Sequence, residues 1–178
     1  MKFVPALALA AVALFTQPVI TQAAMARPLQ CAPYAREHSA IDLHGNAATW
    51  WGQAEGSYAR GKTPLAGSVL VFKATGAMPV GHVAVVKKIV DDRHVVLNHA
   101  NWSRPGMIET SAMAEDVSAN GDWSSVRVWY APTQSLGLRA SPAFGFIYAP
   151  GSETAVAEQK PAVPSDAFQA AFAQLPSH

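Results

Sequence analysis

Cys31 is the single cysteine of this 178-residue chain, so its thiol has no disulfide partner within the chain and needs another explanation. It sits in Gln30-Cys31-Ala32-Pro33-Tyr34-Ala35-Arg36. Pro33 suits the first turn of a helix. A thiol there faces unsatisfied N–H groups and the positive end of the helix dipole, both of which favour thiolate. Further on, Gly81-His82 opens the apolar run Val83-Ala84-Val85-Val86. An imidazole at a strand start is suited to act as general base toward a thiol and general acid toward a leaving amine. A base histidine also needs a third group to set its tautomer and stabilise imidazolium. The run from His94 to Trp102 offers three candidates: His99, Asn98 and Asn101. Period-two alternation puts Val95, Leu97, His99 and Asn101 on one face, with Asn98 on the other unless a bulge intervenes.

The elements that must hold these groups are legible in outline. A first helix runs from Pro33 through Glu37 toward Ser39. A second covers Gly45 to Glu55, with Gly56 as its stop. Strand patterns then take over at Gly67–Phe72, His82–Val90, His94–Asn101 and Ser125–Tyr130, with a short one at Gly145–Tyr148. Asp91-Asp92-Arg93 separates two of them by a hairpin-length turn. Helices first and strands after imply an α+β domain built on an antiparallel sheet.

Four blocks in this order, Gln30-Cys31-x-x-Tyr34-Ala35-Arg36, Gly67-Ser68-Val69-Leu70-Val71-Phe72, Gly81-His82-Val83-Ala84-Val85-Val86 and Asn98-His99-Ala100-Asn101-Trp102, resemble the CHAP domain, the cysteine, histidine-dependent amidohydrolases/peptidases. The resemblance spans roughly Arg27 to Tyr130. It implies a papain-like α+β fold with N-terminal helices packed on an antiparallel β-sheet. It also implies cleavage of amide bonds, usually in peptidoglycan, with Cys31 as nucleophile and His82 as base. Many CHAP sequences carry Glu-x-Asn-Trp where this chain has His99-Ala100-Asn101-Trp102, so His99 stands at the place of the orienting carboxylate and Asn101 at that of the auxiliary asparagine. The related NlpC-type peptidases use a second histidine, and relatives with Asp before it keep Asn98 in play. The oxyanion is expected to meet the backbone N–H of Cys31 and the Gln30 side chain. Trp102, next to Asn101, has the best claim of the five tryptophans to line a substrate groove.

Composition narrows the function further. Lys and Arg total 13 against 12 Asp and Glu, for a formal net charge of +1, and loss of Lys2 would balance it. No electrostatic case exists for nucleic acid or an anionic membrane surface. Met1-Lys2, the apolar stretch Phe3 to Phe15 and Ala24-Met25-Ala26 have the layout of a secretory signal cleaved after Ala26. That stretch is shorter than the roughly 20 residues that span a bilayer, so no stable membrane insertion is expected after cleavage. The expected organisation is a signal at 1–26, a hydrolase domain at 27–150 and an Ala/Pro-rich tail at 151–178. Inside the tail, Phe168, Ala171, Phe172 and Leu175 fall at helical spacing. No H-E-x-x-H, paired cysteines or EF-type loop is present, so neither metal nor cofactor is expected. These readings converge on a periplasmic or secreted cysteine amidase or endopeptidase acting on peptidoglycan peptides. The competing classes are a non-catalytic wall-binding module and a small-molecule amidase.

Overall fold

The computed structural model describes residues 28–152. The expected signal at 1–26 and nearly all of the expected tail lie outside the described residues. Helix α1 spans Cys31–Glu37, and α2 spans Trp50–Gln53 directly after a 3-10 turn at Ala47–Thr49. The strands are β1 (Arg60–Gly61), β2 (Val69–Phe72), β3 (His82–Ile89), β4 (His94–Ala100), β5 (Ile108–Asp116), β6 (Ser125–Tyr130), β7 (Ser135–Leu136) and β8 (Ser141–Ile147).

All pairings are antiparallel, in the order β1-β8-β2-β3-β4-β5-β6-β7, and β8 additionally pairs with β6. That last pairing, Ser125 with Pro142 and Val126 with Ser141, closes β8-β2-β3-β4-β5-β6 into a barrel. The expectation of a papain-like α+β fold, helices laid on an antiparallel sheet, is therefore overturned. The domain is mostly a closed antiparallel barrel of six strands plus two, with two short helices. Two features of the sequence hid this. The stretch Ile108-Glu-Thr-Ser-Ala-Met-Ala-Glu-Asp116 has few β-branched residues and no strict alternation, so β5 carried no strand signal. The last strand begins at Ser141 rather than Gly145, which is early enough to reach both edges.

Closure needs a bend. The β2–β8 register shifts after Val71–Gly145, so that Phe72 pairs with Ala143. Phe144 is left over, and its ring stacks on Trp51 at 5.7 Å. Gly145 supplies the bend with φ 129°, a conformation side chains rarely adopt.

Closure also explains why β2 and the start of β3 are apolar without alternation. Leu70, Phe72, Ala84 and Val86 face the barrel interior, together with Leu97, Ala112, Ala114, Val126, Val128 and Phe146. Val69, Val71, Val83 and Val85 face the other way, under Cys31, Ala32, Ala35, Trp50 and Ala54. Both faces of these strands are covered, so both must be hydrophobic.

The second helix is shorter than its pattern suggested. Gly45 has φ 78° and Gly56 φ 77°, so the chain leaves helical geometry at both ends. Gly81 bears directly on the placement of His82. It has φ 69°, and a Cβ there would lie 2.7 Å from the Ala48 backbone nitrogen, whose N–H donates to the Val80 carbonyl at 2.9 Å. The turn before His82 is thus pressed against the 3-10 turn, which fixes where β3 begins.

Candidate active site

Cys31 is the first residue of α1, with Gln30 as an extended N-cap. Packing against β3 buries the thiol, and backbone N–H groups of Val83, Ala32 and Cys31 itself face the sulfur. Burial pushes the Cys31 thiol above its ordinary range in spite of those groups. The helix-start expectation of a thiolate is thereby reversed, because desolvation outweighs the dipole of a helix only two turns long.

His82 opens β3, one residue from the Val83 N–H that meets the sulfur. Its ring is nearly inaccessible, with Trp102 at 4.9 Å and Phe72 at 5.9 Å between ring centroids. Its Nε2 lies 3.0 Å from Nδ1 of His99, which leaves Nδ1 of His82 as the nitrogen available to a thiol. Burial, and secondarily the neighbouring His99, hold His82 well below the usual histidine range. Thiol and imidazole are accordingly both neutral at pH 7, a pair suited to transferring a proton as attack proceeds rather than before it.

His99 is fully buried. It takes the same inward face as Val95 and Leu97, as alternation suggested, while Asn98 takes the other. Asn98 packs away from His82, and its Oδ1 is buried without a hydrogen-bond partner among the described residues. Asn101 leaves the strand with φ 64° and does not reach the histidines. Its Nδ2 donates to Gln30 Oε1 at 2.9 Å, and its Oδ1 accepts the Gly106 N–H at 2.9 Å. Gln30 Nε2 also donates to the Pro28 carbonyl at 2.9 Å. The Gln30 amide is therefore clamped from two sides next to Cys31, with one N–H left without an acceptor among the described residues.

Gln30, Cys31, His82, Asn101 and Trp102 line one cleft of about 850 Å³. Its other wall comes from the loop before His82 and from the 128–141 stretch, where Arg139 is the lone cation among the lining residues. Trp102 lines the cleft and also packs on both histidine rings, so it walls the histidines as well as facing the groove.

One residue at this site escaped the sequence reading. Glu109 on β5 is buried, and its Oε2 lies 3.5 Å from Nε2 of His99. Its carboxylate accepts from the Ser103 hydroxyl at 2.8 Å and the Ser103 N–H at 3.2 Å. Burial works to raise its pKa, but the contacts with His99 and Ser103 outweigh it and hold the carboxyl below its ordinary value. The only sequence signal was an acid beside apolar and small residues in Ile108-Glu109-Thr110, which nothing tied to His99.

Residues 22–101 match a family model described as CHAP domain. That span includes Cys31, His82, His99 and Asn101 and stops short of β5. No curated protein matches the chain.

Proposed function

The chain carries a CHAP domain, a type that is typically a hydrolase acting on peptidoglycan, and from that premise we propose an exported cysteine amidase or endopeptidase that hydrolyses amide bonds of peptidoglycan peptides. The observation that carries this reading is the 3.0 Å bond to the buried His99 made by His82, which lines the same cleft as Cys31. Cys31 Sγ attacks the amide carbonyl carbon while His82 Nδ1 takes the thiol proton. The oxyanion that forms is met by the backbone N–H of Cys31 and the remaining N–H of Gln30. The imidazolium passes its proton to the departing amine, leaving a thioester on Cys31. Water, deprotonated by His82, then hydrolyses the thioester and restores the thiol. His99 accepts the His82 Nε2–H throughout and keeps the ring oriented.

The layout of residues 1–26 supports export, which makes the periplasm or the exterior the place of action. N-terminal sequencing of the exported protein is expected to begin at Arg27. The experiment for the activity is mass spectrometry of purified peptidoglycan after incubation with the protein. New peptide N-termini mark an endopeptidase, and free lactyl ends mark an amidase. Sacculi that bind the protein but remain uncut would instead make it a wall-binding module.

A further inference from the structure

We propose that Glu109 is a positioning residue for this site, acting through His99 to set the tautomer of His82. The inference rests on the cysteine-hydrolase reading for its catalytic consequence, but its structural core stands on geometry alone. His99 Nε2 is fully buried and has no hydrogen-bond partner among the described residues. The oxygen facing it is Glu109 Oε2 at 3.5 Å, longer than a formed N–H···O bond yet close enough for the carboxylate to favour a hydrogen over a lone pair on that nitrogen. The carboxylate is held in place by both donors of Ser103, whose hydroxyl is itself fixed by accepting the Ala131 N–H at 3.0 Å.

Donor and acceptor counting gives the consequence. An ionised carboxylate only accepts, so it selects the His99 tautomer with its hydrogen on Nε2. Nδ1 of His99 then carries a lone pair and accepts Nε2–H of His82. Nδ1 of His82 is thereby left bare, the state a base toward Cys31 requires. Without the carboxylate, His99 is free to carry its hydrogen on Nδ1 and donate to His82, which places a hydrogen on the wrong nitrogen of the base. Around the His82–His99 pair, Glu109 of β5 faces His99 and Cys31 of α1 lines the same cleft as His82.

Backbone register makes the contact possible. From His94–Glu115 to Leu97–Ala112 the β4–β5 pairing is regular, and a shift then puts His99 opposite Glu109. Without it, Thr110 would stand opposite His99. Thr110 and Ser111 are both exposed, between the buried Glu109 and Ala112, so the bulge turns two neutral residues outward and brings the acid in.

The test is nitrogen-15 NMR of histidine-labelled protein together with the pH profile of kcat/KM, on wild type, Glu109→Ala and Glu109→Gln. In wild type, His99 is expected as the Nε2–H tautomer. In Glu109→Ala, Nδ1–H appears and kcat falls roughly a hundredfold, below the about 10⁴-fold seen when a group in direct contact with the base is disabled. Glu109→Gln can keep its one amide oxygen toward the Ser103 N–H and His99, with the amide NH2 donating to the Ser103 hydroxyl oxygen in reverse of the native bond, so it restores most of kcat. Its acid limb moves to lower pH, because the negative charge that favoured imidazolium is gone. A folded Glu109→Ala with an unchanged tautomer overturns the proposal. Should that variant fail to fold, an unshifted acid limb in Glu109→Gln does the same. A tautomer change in a protein with no activity on peptidoglycan would overturn the substrate reading and leave the role of Glu109 standing.

Discussion

Strand β5 carries a buried carboxylate near each end, and the two are held very differently. At one end, Asp116 meets Arg93 at 2.9 Å. The same guanidinium nitrogen donates to the carbonyls of Asp116 and Ser118, and Asp116 Oδ1 accepts the Ser118 N–H at 2.8 Å. At the other end, Glu109 stands 3.5 Å from a histidine nitrogen with no other partner among the described residues. A guanidinium only donates, whereas each imidazole nitrogen can carry either a hydrogen or a lone pair. The Arg93 end is therefore a static clamp on the β3–β4 hairpin and the loop after β5. The His99 end keeps a proton that can be redistributed. The difference teaches that burial and opposite charge alone do not mark a candidate catalytic site. What marks it is a titratable partner left with an unfilled hydrogen bond.

Four outcomes break or sharpen that contrast. The largest is expected at the nucleophile: Cys31→Ser should lower kcat by on the order of 10⁴-fold or more with no change in melting temperature. Turnover surviving in that variant would remove the whole catalytic reading of the His99 end. Next, His99→Ala should cost on the order of a hundredfold or more in kcat, while Asn98→Ala and Asn101→Ala are milder. If Asn98→Ala were as damaging as Cys31→Ser, a polar group on the outward face would be orienting His82.

The clamp should answer to stability instead. Asp116→Ala is expected to lower unfolding free energy by roughly 1–3 kcal/mol, below the range for a fully buried pair because Arg93 is partly exposed. Its kcat should stay at the wild-type value, measured by denaturant titration alongside turnover. A loss of activity without a loss of stability would reverse the assignment of the two ends.

The smallest effect concerns pH. His82 in the folded protein lies well below the ordinary histidine value of 6.5, so the unfolded chain binds the proton first. The stability this neutral ring contributes is complete above about pH 6.5. It is lost as pH falls from there toward the folded value, by at most about 1.4 kcal/mol per pH unit for one proton. Melting temperatures measured between pH 7 and 5 should therefore decline. His82→Gln should flatten that slope, and Arg93→Met should not.

Much of the site was legible because it depends on local pattern. Cys31 stood out by being single and next to a proline suited to a helix start, and His82 by opening an apolar strand. Alternation along Val95, Leu97 and His99 chose the inward face correctly because a strand has period two whatever it pairs with. The same logic failed at Asn101, where the strand had already ended and the backbone turned to φ 64°. It failed for Cys31 ionisation as well, since a sequence shows the start of a helix but not the sheet that buries it.

By itself the sequence determined Cys31 and His82 as the candidate nucleophile and base, the face of His99 and the places of most of the longer strands along the chain, all properties of a residue and its near neighbours. Only the tertiary structure decided that the sheet closes, that β5 is a strand, and that a register shift trades Thr110 for Glu109 opposite His99. The physical reason is the range of the interactions. Helix starts and strand periodicity are set by neighbouring residues, whereas closure and register minimise the free energy of pairings between segments far apart in the chain. A bulge moves a buried side chain from one residue to the next without leaving a local trace.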